Sequence, residues 1–263
     1  MKSIVEQIKD IKNQGYHLDF SDVFNSAFEN YKKIALYAGL ILLVFSILFG
    51  IIGSIVLAAI FGADKLSNPA FFNIQPIHLS STQVLYYVLG TVLFSALLSP
   101  FSAGFLRMAY CADRDQQFNV STIFTYYKTK HFLQIFLATA IISLFSASIS
   151  TFLEIQKLSN LGIIISLIIS YFTFLTIPLI IFGNLKALDA IKSSFIIISK
   201  QPLVLFGLMT TVVAGLIVGF MAFFIGILFT VPLSYSMTYA IYHAIFKNDK
   251  EDPIDSIGQS DLE

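Results

Sequence analysis

Hydrophobic and polar positions along this chain fall into long blocks. Five runs contain no Asp, Glu, Lys or Arg: residues 34–61, 84–106, 132–153, 161–185 and 201–246. A helix crossing a bilayer needs about 20 apolar residues at a rise of about 1.5 Å each. Four runs suit one crossing. The fifth holds 46 residues, about 69 Å of helix, and divides into two. Gly219 and Gly226 bracket the expected turn, because Gly adopts backbone conformations that other residues resist. The pattern predicts six spans in an all-α, polytopic transmembrane bundle.

Short amphipathic stretches precede three of these spans. The first places Phe20, Val23, Phe24, Ala27, Phe28 and Tyr31 on one helical face. The second uses Val120, Ile123, Phe124 and Tyr127, and the third Leu188, Ile191, Phe195 and Ile198. Offsets of three and four residues produce such a face. Lysines follow each stretch: Lys32 and Lys33, then Lys128 and Lys130, then Lys200. The second span of each pair carries a proline, at Pro100, Pro178 and Pro232. Proline in a spanning helix frees a carbonyl and tends to kink the rod. The reading is therefore three hairpins, each introduced by a cytoplasmic interfacial amphipathic helix; the other reading is that these stretches simply start the spans that follow, their Lys serving only as topology signals. Residues 1–33 form an N-terminal amphipathic segment, 34–246 the membrane domain and 247–263 a disordered acidic tail.

Composition agrees with this class. The chain is 56% hydrophobic and 12% charged, with a mean hydropathy of +0.79. A soluble domain carries about 25% charged residues. The first apolar run starts too late and runs too long for a cleavable signal, so it is expected to remain as an anchor. Charge sets the orientation. Of the 16 Lys and Arg, all but Lys65 and Lys157 fall on the N-terminal segment, the second and fourth connections and the tail. Positive residues accumulate on the cytoplasmic side, which predicts cytoplasmic termini. The outer connections are then residues 62–83, with Pro69, Pro76 and Phe71–Phe72, a short link at 154–160 and the 219–226 turn.

Candidate chemistry is sparse. The zero net charge argues against a nucleic-acid partner. One cysteine, Cys111, forms no intrachain disulfide and reads as a packing residue at the membrane boundary. His17, His78, His131 and His243 are scattered, with no metal-ligand spacing. No catalytic residue, cofactor or metal is expected. Intramembrane charges mark proton relays, and the span interiors have none. Asp189 and Lys192 are spaced for a surface ion pair. Small residues at 143–151 and the Gly215-to-Gly219 spacing suit close helix approach; a serine-lined pore is the other reading. Surface Lys near anionic lipid is worth about 1 kcal/mol each. The candidate lipid-headgroup contacts are accordingly Lys32, Lys33, Arg107, Lys128, Lys130, Lys192 and Lys200, with Arg107 also suited to simple snorkelling at the end of its span.

The stretch Leu185-Lys-Ala-Leu-Asp-Ala-Ile-Lys-Ser-Ser-Phe, the helix start at Pro202, Val231-Pro-Leu and Tyr239-Ala-Ile-Tyr resemble a bacterial membrane family. It comprises the membrane domain found beside glycerophosphoryl diester phosphodiesterases and related stand-alone proteins, largely of unknown function. The resemblance implies a bacterial cytoplasmic membrane and a module without phosphodiesterase activity, since the chain has no room for the barrel enzyme. Three functions stay open: a non-enzymatic scaffold or lipid- and envelope-homeostasis module with a membrane-protein partner; a transporter or channel for a neutral or amphiphilic substrate; and a lipid-modifying enzyme, for which no constellation is present.

Overall fold

The computed structural model describes residues 2–68, 75–222 and 225–246, apart from the side chains of residues 60, 61 and 65. Pro69, Phe71 and Phe72 of the long connection and the tail 247–263 lie outside the described residues. All regular structure among those described is helical. Six helical stretches are long and apolar enough to cross a membrane, so the chain is a polytopic membrane bundle.

The N-terminal segment begins with α1 (Ile4–Gln14), which opens on a reciprocal cap between Ser3 and Glu6. It buries Ile8 and Ile11 and ends at Gly15, whose φ of 75° suits a residue without a Cβ. The next helix, α2 (Phe20–Phe61), departs from expectation. The amphipathic stretch and the first span form one continuous helix of 42 residues, capped by Asp19. At 1.5 Å per residue it is about 63 Å long, twice a bilayer core. Nothing between Phe20 and Ile34 breaks a helix, so the change of polarity passes without a change of backbone.

A short α3 (Ala63–Leu66) follows, then a single 3-10 turn at Pro76–His78. The second span, α4 (Ser81–Asp113), contains Pro100. Proline leaves the carbonyl four residues back unpaired, and Ser99 Oγ donates to that Ala96 oxygen at 2.8 Å. Tyr127 Oη donates to the adjacent Leu97 oxygen at 2.7 Å. Tyr127 reaches it because α5 (Val120–Ile123) and the turn after it lie directly on α4. A Cβ on Gly104 would overlap the Ile123 backbone, so this docking requires glycine.

The third span is α6 (His131–Ile155). The fourth is broken into α7 (Ser159–Thr173) and α8 (Thr176–Ile181). The break lies four residues before Pro178, and Ser194 Oγ donates to the Phe172 oxygen beside it at 2.9 Å. Then come α9 (Ala187–Lys200), α10 (Pro202–Met221) and α11 (Ile225–Ile245). The long fifth run is therefore two helices. Gly219 and Gly226 flank their junction, but both are helical and neither has a positive φ. Their role is contact: a Cβ on Gly226 would meet the Gly219 carbonyl oxygen at 2.5 Å.

The α6–α7 and α10–α11 pairs pack as antiparallel hairpins. The first pair does not pack so closely. Helix α2 lies mainly against α11, the last helix, and α4 lies mainly against α6. The Phe229 ring of α11 sits where a Cβ on Gly39 of α2 would be. Buried residues concentrate where α1, α9 and the N-terminal part of α2 meet the C-terminal parts of α4 and α11. We call this the basic end.

Candidate functional site

The basic end is held by polar side chains that the apolar helices bring together. Asn30 on α2 is 4% exposed and Ser236 on α11 is fully buried. Asn30 Nδ2 donates to the Ala109 oxygen of α4 at 2.7 Å, and Ser236 Oγ donates to Asn30 Oδ1 at 2.8 Å. One carboxamide thus ties three spans together with both its functions satisfied. Beside it, Lys33 Nζ donates to the Ala112 oxygen at 3.1 Å and pairs with Asp115 at 2.6 Å. A cation here complements the carboxyl end of α4. Tyr239 Oη donates to Asp113 Oδ2 at 2.9 Å.

The N-terminal segment is latched onto the same end. Gln201 Nε2 donates to the Tyr16 oxygen at 2.6 Å, and its Oε1 accepts from Leu18 N at 3.1 Å. Tyr16 Oη donates to the Ile197 oxygen of α9 at 3.1 Å. Burial raises the Tyr16 phenol above its ordinary range.

The seven candidate headgroup residues separate into two groups. Lys32 pairs with Glu29 at 2.6 Å and lies 5.7 Å from the Phe28 ring. Lys33 is tied to α4 as above. Lys128, Lys130, Lys192 and Lys200 are exposed, and no ion pair engages them among the described residues. The expected pair between Asp189 and Lys192 is not formed.

Arg107 stands apart. It is not at the end of a helix, since α4 continues to Asp113. Its guanidinium lies 4.6 Å from the Tyr110 ring centroid, and Arg114 lies 4.5 Å from the same ring. Tyr110 also stacks on Phe182 at 5.4 Å. Two arginines on one aromatic ring make a local positive field, and cation–π contact holds both. Tyr126, 5% exposed, has its phenol pushed up to about 12 by burial, opposed by the Arg107 charge. Its ring meets His131 edge-on at 6.0 Å. His131 Nε2 lies 2.9 Å from Asn184 Oδ1, while its Nδ1 is buried without a partner. In the sequence Arg114 enters only through the overall bias of positive charge, and Tyr110 and Tyr126 belong to no motif. The spacing of residues 107, 110 and 114 was the available signal, since i, i+3 and i+7 share a helical face.

A second region lies between α6 and α7. Thr139, Ser143, Ser146 and Ser150 line one face of α6, opposite Ser166 and Ser170 of α7. Ser146 and Ser166 hydrogen-bond at 3.2 Å, and Ser150 and Ser166 share a bond at 2.5 Å. This is the small-residue stretch expected to allow close approach. It does so at Gly162, where a Cβ would lie 3.4 Å from Ser150 Cα. Open recesses flank this contact. A recess of about 600 Å³ runs from Ser146 toward Glu154 and Ser159, and one of about 310 Å³ runs the other way to Thr176. A third recess of about 500 Å³, lined by apolar side chains and Thr173, extends to Ile191 and Phe195 of α9.

Among the described residues, no group of three metal-ligating side chains converges. Cys111 is free and buried. Comparison with known protein families, with curated proteins and with solved structures finds no match.

Proposed function

We propose that this integral membrane protein is a non-enzymatic module of lipid or envelope homeostasis, or a scaffold for a membrane-protein partner, whose basic end faces the cytoplasm and engages anionic headgroups. The observation that carries this is the exposed set Lys128, Lys130, Lys192 and Lys200, none of which is paired with a carboxylate among the described residues. Arg107 and Arg114 on Tyr110 add positive charge at the same end. Such cations attract an anionic leaflet and set topology together, which favours cytoplasmic termini. The repeat of amphipathic stretch, span and proline-bearing span, and the resemblance to the phosphodiesterase-associated membrane family, support a bacterial cytoplasmic membrane as the location.

The test is boundary-lipid selectivity, measured by spin-label EPR in mixed phosphatidylglycerol and phosphatidylcholine. The wild type is expected to favour phosphatidylglycerol. Replacing the four lysines by glutamine is expected to remove most of that preference, about 1 kcal/mol for each lysine near a headgroup. Equal preference in both proteins would overturn the reading.

The recesses along α6 and α7 favour a second reading, a carrier or channel for a neutral or amphiphilic substrate. Broken spans border binding sites in many transporters, and the break between α7 and α8 adjoins the smaller recess.

A further inference from the structure

We propose that the cleft between α6 and α7 is a binding site for an uncharged polyhydroxy group, carried into the span layer by a lipid. This deepens the second reading above and does not depend on the lysines of the basic end.

One hydroxyl beside the cleft is left unpaired. Thr176 lines the smaller recess, is 1% exposed, and its Oγ1 is buried without a hydrogen-bond partner. A buried hydroxyl left unpaired is unfavourable by about 1–3 kcal/mol. Threonine and serine inside helices usually escape by donating to a carbonyl of the preceding turn. Ser143 and Thr173 do so, at 2.7 Å each. Thr176 does not. Thr139 and Ser170 line the same recess, and among the described residues their hydroxyls also have no side-chain hydrogen bond.

The cleft carries almost no charge. No ionisable side chain lines the smaller recess. The larger one has a single carboxylate, Glu154, at its far mouth. Hydroxyls without a counter-charge suit a neutral ligand with donors and acceptors of its own. An anion would meet no cation, and a metal ion would meet no ligand cluster.

The apolar recess adjoins the smaller hydroxyl-lined one. It shares Ile142, Ile169 and Thr173 with the hydroxyl-lined one. The two lie side by side halfway along α6. A seam holding only water would have no need of an apolar slot beside it. A lipid with a hydroxylated headgroup would use both, its head on the hydroxyls and a chain along Phe145, Ile168 and Phe195. The smaller recess has room for roughly ten waters at about 30 Å³ each, enough for one sugar-sized group.

The experiment reconstitutes the full chain in phosphatidylcholine nanodiscs without anionic lipid. A photoactivatable monoglucosyl diacylglycerol is the probe. Labelling is expected on α6 and α7 around Ile142 and Ile169. Unlabelled glycolipid is expected to compete, and phosphatidylcholine of the same chains is not. Competition by free glucose at matched concentration would support the polyhydroxy site and reassign its source to a soluble polyol. The combined variant Thr139→Val, Ser170→Ala and Thr176→Val is expected to weaken competition about tenfold or more, from the loss of three hydrogen bonds. Ser170→Phe fills the recess from its exposed rim and is expected to abolish labelling in a folded protein. Labelling unchanged in both variants would overturn the proposal. So would Thr176→Val raising thermal stability while labelling stays constant, because that marks an empty hydroxyl relieved of its desolvation. Loss of lipid selectivity at the lysines leaves this assay unaffected, so the two readings fail separately.

Discussion

The two halves of α2 and α4 differ in how they are solvated. Toward the basic end, α2 buries Val23, Ala27, Asn30, Ile34 and Ala38, and α4 buries a nearly continuous run from Ala103 to Ala112. Toward the far end the same helices bury almost nothing. Among the side chains described, no residue of α2 beyond Ile41 is buried, and Ile51, Ile52 and Ile55 are each more than half exposed. The first half is packed like a soluble core, with Asn30 and Ser236 hydrogen-bonded and aromatic rings stacked. The second is apolar on every side and suits hydrocarbon as its solvent. Close packing in this chain therefore follows the polar groups. Where Asn30, Lys33 and Tyr239 must find partners, the helices converge, and where every side chain is content in lipid they need not.

Alanine substitution at glycine gives the sharpest test of that contrast. Gly104→Ala drives a Cβ into the Ile123 backbone and is expected to destabilise by about 3 kcal/mol. Gly50→Ala meets nothing within 4 Å and is expected to be neutral or to stabilise by up to about 1 kcal/mol. Thermal unfolding in one detergent, run side by side, reads both. Equal effects would erase the distinction between the halves.

Asn30→Ala comes next. It strands Ser236 and the Ala109 carbonyl and is expected to cost about 2 kcal/mol. Ser54→Ala, which removes only a bond to the Ile51 oxygen, should change the unfolding midpoint little.

A pH titration probes the basic end alone. The Tyr126 phenol ionises at about 12 when folded, against an ordinary value of 10.0. The unfolded chain therefore loses this proton first. The stabilisation is complete below pH 10 and is lost as pH rises from 10 to about 12, at most about 3 kcal/mol. Tyr126→Phe is expected to flatten that limb of the stability profile. An identical alkaline limb in the variant would place the titration elsewhere.

The smallest effect belongs to the pair of Lys33 and Asp115, whose side chains are 47% and 83% exposed. Asp115→Asn is expected to cost below about 0.5 kcal/mol, and less still in high salt. A salt-insensitive loss above 1 kcal/mol would show that the surface here is not open to water.

Much of this architecture was legible in the sequence. Spans are written in hydropathy because hydrocarbon tolerates few alternatives, and the six apolar stretches emerge where expected. The continuity of α2 was less legible. Its amphipathic start and its apolar body differ in side chains and not in backbone propensity, so the polarity boundary near Ile34 resembled a break. Gly219 and Gly226 were found at the right place for the wrong reason, because spacing alone does not separate a turn glycine from a contact glycine. The Asn30 clasp was hidden by distance along the chain. A single Asn amid Phe and Lys carries no pattern until Ala109 and Ser236 are beside it. The α6–α7 serines are visible as small residues, but the unpaired hydroxyl of Thr176 depends on the break between α7 and α8 and shows only in the folded chain.

The pairing of the first span with the last has a consequence in time. Asn30 and Ser236 are 206 residues apart. At about 5–20 residues per second of synthesis, α2 waits roughly 10–40 s for its partner. Through that interval its Asn30 carboxamide and the open notch at Gly39 face lipid, water or a chaperone. The α2–α11 contact closes only when α11 arrives, so truncation anywhere before α11 leaves α2 without its main partner.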